Sequence, residues 1–145
     1  MQQNHISLEN KTDDIELTKA IQEAISKKIY VVVSIGNNEI KSKISTIENG
    51  ISVAPTKLKS KFLFNELDLD KNPTLFVPGE DVLSDYLLDK MTYDAGASFS
   101  TAITSGSIAL ILSNNRDAKK EEVITILKKC IRNQIKRRKK WEYYL

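Results

Sequence analysis

The sequence predicts an α+β domain: an antiparallel six- or seven-stranded sheet with the N- and C-terminal helices packed on one face. Three observations carry this prediction. Leu17, Ala20, Ile21, Ala24 and Ile25 near one end, and Val123, Ile124, Leu127, Cys130, Ile131 and Ile135 near the other, recur at three- and four-residue spacing. That is the apolar stripe of an amphipathic helix. Between the stripes, strand-like segments alternate with the turn signals Gly36-Asn37-Asn38, Asn49-Gly50, Pro78-Gly79 and Ser105-Gly106. A sheet of sequential hairpins needs its apolar face covered, and the two striped helices are the available covers.

In chain order, residues 1–12 are polar and aperiodic and read as a flexible N-terminal tail; residues 13–145 read as one domain. A helix is expected from Asp13 to Lys28, with Asp13 as its cap, Glu16 three residues on, and Lys27 and Lys28 in its last turn. Tyr30–Ile35 is β-branched and nearly continuous, a buried strand. Glu39–Ser45 alternates, with Ile40 and Ile44 inward and Lys41 and Lys43 outward. Asn49-Gly50 turns the chain into Ile51–Val53, which completes an antiparallel meander. Pro55 suits the first position of a short helix, with Leu58 and Phe62 one turn apart. Residues 65–72 are an acidic loop. Thr74–Val77 is a strand closed by Pro78-Gly79.

Asp81–Met91 fits a helix through Leu83, Tyr86 and Leu87, and a strand through Val82, Ser84, Tyr86 and Leu88; its antiparallel neighbours favour the strand. Thr92–Gly96 is a turn or bulge. Phe99–Thr104 alternates, Ser105-Gly106 turns, and Ile108–Leu112 is an apolar run, which together predict a hairpin. The last helix is expected from about Ala118, capped by Asp117, with Glu121 and Glu122 in its first turn.

Composition bounds the function. The 145 residues are 41% hydrophobic and 28% charged, with a formal net charge of +3, as in a soluble globular domain. Residues 119–140 hold ten Lys and Arg against two Glu, which leaves the remainder acidic. The N-terminus has no apolar core of a signal peptide, and a single cysteine fits a reducing cytosol. No catalytic or metal-binding residues are expected. The one histidine, His5, lies in the polar tail, and Cys130 falls on an apolar stripe as packing. Glu66, Asp68 and Asp70 alternate, but no glycine turn or bidentate acid in register makes them a calcium loop. No phosphate-binding glycine loop is present, and no cofactor is expected.

The order helix, meander, Pro-started helix, strand, long hairpin and C-terminal helix resembles that of the profilins. Leu75–Glu80 (LFVPGE) is similar to the family's aromatic strand ending in a glycine turn. Phe99–Asn114 resembles its last hairpin, the helix through Lys128-Lys129-Cys130 its basic C-terminal helix, and Val53–Leu63 its short helix. The resemblance implies a non-catalytic, monomeric, cytoplasmic protein that binds actin or an actin-like monomer and regulates filament assembly. The implied actin face comprises Phe76, Ser98, Ser100, Arg116, Lys119, Lys120, Glu122, Thr125 and Lys128.

The resemblance also implies anionic phospholipid binding at Lys136, Arg137, Arg138, Lys139 and Lys140. The same cluster reads as a contact for nucleic acid phosphate, which ranks lower, or as a solvated helix end favoured by the dipole. Proline-rich peptides would stack on Tyr30, Trp141, Tyr143 and Tyr144. The first helix has neither Trp nor Tyr, so this binding is weak or absent. Two further readings stand beside the first: a roadblock- or longin-like scaffold for small GTPases, and a basic-helix module for anionic membrane or nucleic acid.

Overall fold

The computed structural model describes residues 2–7, 14–36, 43–56 and 73–141. Its elements are β1 (Gln3–Ile6), α1 (Ile15–Ser26), β2 (Tyr30–Ser34), a 3-10 turn (Lys43–Thr46), β3 (Ile51–Thr56), β4 (Leu75–Pro78), β5 (Val82–Tyr86), β6 (Lys90–Asp94), α2 (Ala97–Asn114) and α3 (Lys120–Trp141). One sheet runs in the order β1-β2-β3-β4 with every neighbouring pair parallel. β5 and β6 form a separate antiparallel hairpin. The class is therefore α/β, which corrects the predicted antiparallel α+β sheet.

The reason lies in β2. All five of its residues are buried. Val31 and Val33 point into a cluster with Ile21 and Ile44, lined by Leu17, Ala24 and Ile25. Tyr30 and Val32 point the other way, joining Ile51, Val53, Leu75 and Val77 with Ile108, Leu112, Ala118, Val123 and Leu127. A strand covered on both faces is what a parallel sheet with helical layers provides. So α1 covers one face and α2 with α3 the other. The two terminal helices do not share a face.

The largest revision concerns Ala97–Asn114. The predicted hairpin is one 18-residue helix. Its buried residues are Ala97, Ser100, Thr101, Thr104, Ser105, Ile108 and Leu112, spaced by three or four along most of the run. Most of these are small and polar, so a reading of apolar positions alone misses the helical period. Thr101 Oγ1 donates to Ala97 O at 2.7 Å and Thr104 Oγ1 to Ser100 O at 2.8 Å, satisfying buried hydroxyls within the helix.

Smaller corrections follow. Residues 3–6 of the expected tail form β1, paired in register from Gln3 with Tyr30 to Ile6 with Val33. α1 is two residues shorter at each end than expected, and its cap is Asp14, which accepts the Leu17 N–H at 2.9 Å. Pro55 lies in β3 and starts no helix. Pairing of β3 with β2 ends at Val53, so the missing N–H of Pro55 disturbs no ladder bond on that side. Leu58, Phe62 and the acidic residues Glu66, Asp68 and Asp70 lie outside the described residues, as do residues 39–42 of the expected second strand. The segment Asp81–Met91 is not helix: Val82–Tyr86 is strand, as favoured, but the chain turns at 87–89 and Lys90–Asp94 forms the second strand of a hairpin, where a turn or bulge was expected from Thr92. α3 starts at Lys120, and Cys130 is exposed, not packed. Among the described residues, no helix is long and apolar enough to cross a membrane.

Candidate active site

The N-terminus of α2 is clamped to the carboxyl end of β4. Gly96, the residue before the helix, donates its N–H to Gly79 O at 2.8 Å. Ser100, fully buried, donates its hydroxyl to Val77 O at 2.9 Å. A Cβ built at Gly79 would lie 2.1 Å from Ser100 Oγ and 2.7 Å from Gly96 O, so no side chain fits there. Gly96 itself holds φ 155° and ψ 165°, a region that disfavours any side chain. Two glycines thus let a helix start abut the end of a strand.

This clamp sets the position of Ser98. It is the second residue of α2 and half-buried, and its hydroxyl donates to Ser7 O at 3.0 Å. Ser7 directly follows β1, so the hydroxyl sits on the carboxyl edge of the parallel sheet. That edge is where open α/β folds place their ligand sites. The Ser98 N–H has no intrahelical acceptor and lies at the positive end of the helix dipole. Hydroxyl and N–H together suit attack on a carbonyl and stabilisation of the oxyanion that forms.

Among the described residues, the Ser98 hydroxyl is bonded to Ser7 O and to no side chain that could serve as its base. His5, the single histidine, places Nδ1 2.9 Å from Ser105 Oγ. Ser105 is seven residues along α2 from Ser98, about 10 Å at helical rise. Gln3 Nε2 donates to Ser105 O at 2.8 Å, so His5 and Gln3 tie β1 to the middle of the helix. Among the described residues, no group of three His, Cys, Asp or Glu is placed to hold a metal ion.

The model of the subtilase family, peptidase S8, matches residues 5–142. The chain belongs to the subtilase family. Among solved structures it is similar to sphericase, at 19% identity and a TM-score of 0.69 over 86% of this chain and 47% of that one. It is also similar to the prenylagaramide maturation protease PagA, at 22% identity and a TM-score of 0.63 over 81% of this chain and 44% of that one. A third is the PatG macrocyclase in complex with peptide, at 19% identity and a TM-score of 0.57 over 73% of this chain and 34% of that one. The chain thus spans about half the length of these structures or less. No curated protein matches it.

Family membership overturns the profilin resemblance and, with it, the actin-binding, non-enzymatic reading. The geometry agrees, because the implied actin face is not one surface. Phe76 is half-buried in β4, Ser98 begins α2, and Ser100 is fully buried under that helix. Arg116 follows the far end of α2, whose last residue, Asn114, lies about 24 Å from Ser98 along the axis. Lys119, Glu122, Thr125 and Lys128 are exposed around the start of α3, and Lys120 Nζ donates to Asn49 Oδ1 at 3.1 Å. For the proline-rich-peptide group, Tyr30 is buried and its hydroxyl donates to Ala118 O at 2.6 Å, so it is no stacking platform. Trp141 ends α3, and Tyr143 and Tyr144 lie outside the described residues. Lys136, Arg137, Arg138, Lys139 and Lys140 fall in the last turns of α3.

Ser98 reads from the sequence as a surface residue of the implied actin face, whereas the structure places it at the start of α2. The signal that finds it is Gly96-Ala97-Ser98 read as a helix start, with Pro78-Gly79 upstream as its seat.

Proposed function

We propose that Ser98 is the nucleophile of a serine peptidase site and that this chain supplies the nucleophile-bearing part of that site. The observation that carries the reading is the Ser98 hydroxyl at the N-terminus of α2, held on the carboxyl edge of a parallel sheet in a member of the subtilase family. In subtilisin the triad residues occur in the chain order Asp, His, Ser, so the nucleophile is the last of the three. Ser98 would attack the peptide carbonyl through Oγ, giving an acyl-enzyme as the amine departs with the proton passed to it by the base. His5, the single histidine, is tied to Ser105 and does not serve Ser98, so a histidine base comes from outside these residues. The Ser98 N–H supplies one oxyanion donor. Asn37, three residues beyond the last residue of β2, is the candidate second donor. It lies outside the described residues, and subtilisin itself uses an asparagine in this role.

The names of the structural neighbours refer to proteolysis and to a peptide, which supports polypeptide as the substrate class. The test is peptide hydrolysis, with fluorophosphonate labelling, by the intact protein that carries these residues together with its histidine. Ser98→Ala is expected to abolish labelling and to lower kcat about 10⁶-fold, the loss seen in subtilisin when its nucleophile is removed. Ser105→Ala is expected to retain both. Undiminished hydrolysis by Ser98→Ala, or labelling at another serine, would overturn the assignment.

A further inference from the structure

Ala97, Ser98, Phe99 and Ser100 make the first turn of α2, and its own backbone bonds hold it loosely. Gly96 has no side chain to cap the helix, and its carbonyl accepts the N–H groups of Phe99 at 3.2 Å and of Ser100 at 3.4 Å. Both bonds are longer than the usual ~2.9–3.0 Å. The turn therefore depends on its attachment to the sheet. Ala97 and Phe99 carry no hydrogen-bonding side chain, which leaves the two serines.

Those serines reach to opposite sides, because residues two apart are about 200° apart around a helix. Ser98 donates its hydroxyl to Ser7 O at 3.0 Å, just past β1, and Ser100 donates to Val77 O at 2.9 Å, in β4. β1 and β4 are the outermost strands of the order β1-β2-β3-β4, so the turn bridges the carboxyl edge of the sheet. The two bonds differ in one respect. To attack a carbonyl, Ser98 gives up its hydroxyl proton to the base, so it must first leave Ser7 O. The Ser100 bond is untouched by the chemistry. Ser100 is 0% exposed, and its Oγ fills the space that a Cβ on Gly79 would take. Thr101 and Thr104 are buried as well, yet their hydroxyls turn back to carbonyls of α2 itself. Of these three hydroxyls, only that of Ser100 reaches another element.

We propose that Ser100 is a positioning residue: its hydroxyl bond to Val77 O holds the first turn of α2 in place while Ser98 leaves Ser7 O to attack. This rests on the peptidase reading and deepens it. A turn free to rotate about its axis would carry Ser98 Oγ out of line with the carbonyl. A displacement of about 1 Å in a reacting group costs as much as ~100-fold in rate.

The test compares Ser100→Ala with Thr101→Val in the intact protein that carries these residues together with its histidine. Each change removes one fully buried hydroxyl, and with it one bond, at little change of shape. Both are expected to lower the thermal denaturation midpoint by similar amounts. Only Ser100→Ala is expected to lower kcat and to slow fluorophosphonate labelling of Ser98, each about 10- to 100-fold, with KM within about two-fold of wild type. Ser100→Cys keeps a weaker donor and is expected to fall between Ser100→Ala and wild type. Wild-type labelling by Ser100→Ala, or equal slowing by Thr101→Val, would overturn the positioning role and leave the peptidase reading standing. A rise in KM with kcat unchanged would do the same. No labelling of Ser98 in the wild type would overturn the peptidase reading and this role with it.

Discussion

Gly96 shows how much of the site depends on one residue without a side chain. Its φ of 155° and ψ of 165° belong to a region that is essentially open to glycine alone, and its N–H bond to Gly79 O seats the helix. Gly96→Ala is expected to cost ~1–3 kcal/mol of stability. It should also slow fluorophosphonate labelling of Ser98 by at least ~10-fold, because a displacement of about 1 Å in a reacting group has effects of that order or larger. Thermal denaturation and labelling rate measure the two effects, and a variant with wild-type values in both would show that the helix start tolerates other conformations. At this scale the sequence was partly legible. Ser98 was legible as a polar, accessible residue, but its role depends on a helix beginning one residue earlier, and nothing in the alternation of Phe99, Thr101 and Ile103 announces that helix.

At the scale of elements, α2 is the instructive case. Its buried face is built largely from Ser and Thr, and the hydroxyls of Thr101 and Thr104 bond to carbonyls one turn back, so polarity and burial do not exclude each other there. Gly106 was legible only as a turn signal, yet it lies inside the helix, and a Cβ there would meet nothing within 4 Å. Gly106→Ala is therefore expected to stabilise the protein by ~0.5–1 kcal/mol, as glycine-to-alanine changes in open helix positions do. Chemical denaturation decides this, since a loss of stability would indicate the tight turn and a gain the helix. α1 behaved differently, because its apolar stripe and acidic cap are local signals. The helix was read from Asp13 to Lys28 and found from Ile15 to Ser26.

For the whole molecule, the link between layers runs through Tyr30. Its ring lies in the core beside α2 and α3, and its hydroxyl donates to Ala118 O at 2.6 Å, tying β2 to the connection between those helices. Burial pushes the Tyr30 pKa above the ordinary tyrosine value, and the charges of Glu121 and Glu122 push it the same way. The folded state therefore holds this proton more tightly than the unfolded chain. The contribution is fully present below about pH 10, the unfolded value, and is lost as pH rises from there through the raised folded value. Tyr30→Phe is expected to lower stability at neutral pH by ~1–2 kcal/mol, because Ala118 O loses its buried donor. The gap between wild type and Tyr30→Phe should narrow above pH 10 in urea denaturation. A gap that widens there would contradict the assignment of this group.

The sequence by itself determined the local facts: the stripe of α1, the strands at Tyr30, Ile51 and Leu75, the turn at Asn49-Gly50, and the apolar stripe by which α3 packs. Each rests on residues within one turn or one strand of one another. Tertiary structure decided what those elements do together. A buried β-branched strand is written the same way whether its neighbours run parallel or antiparallel, and only the two-sided core around Val31, Val32 and Val33 chose parallel. That choice carried α1 to one face and α2 to the other and turned β1 from a tail into an edge strand. It also brought the start of α2 to the carboxyl ends of β1 and β4. Ser98 becomes a candidate nucleophile only there, because its environment is made by Ser7, Val77 and Gly79, which lie 91, 21 and 19 positions earlier in the chain.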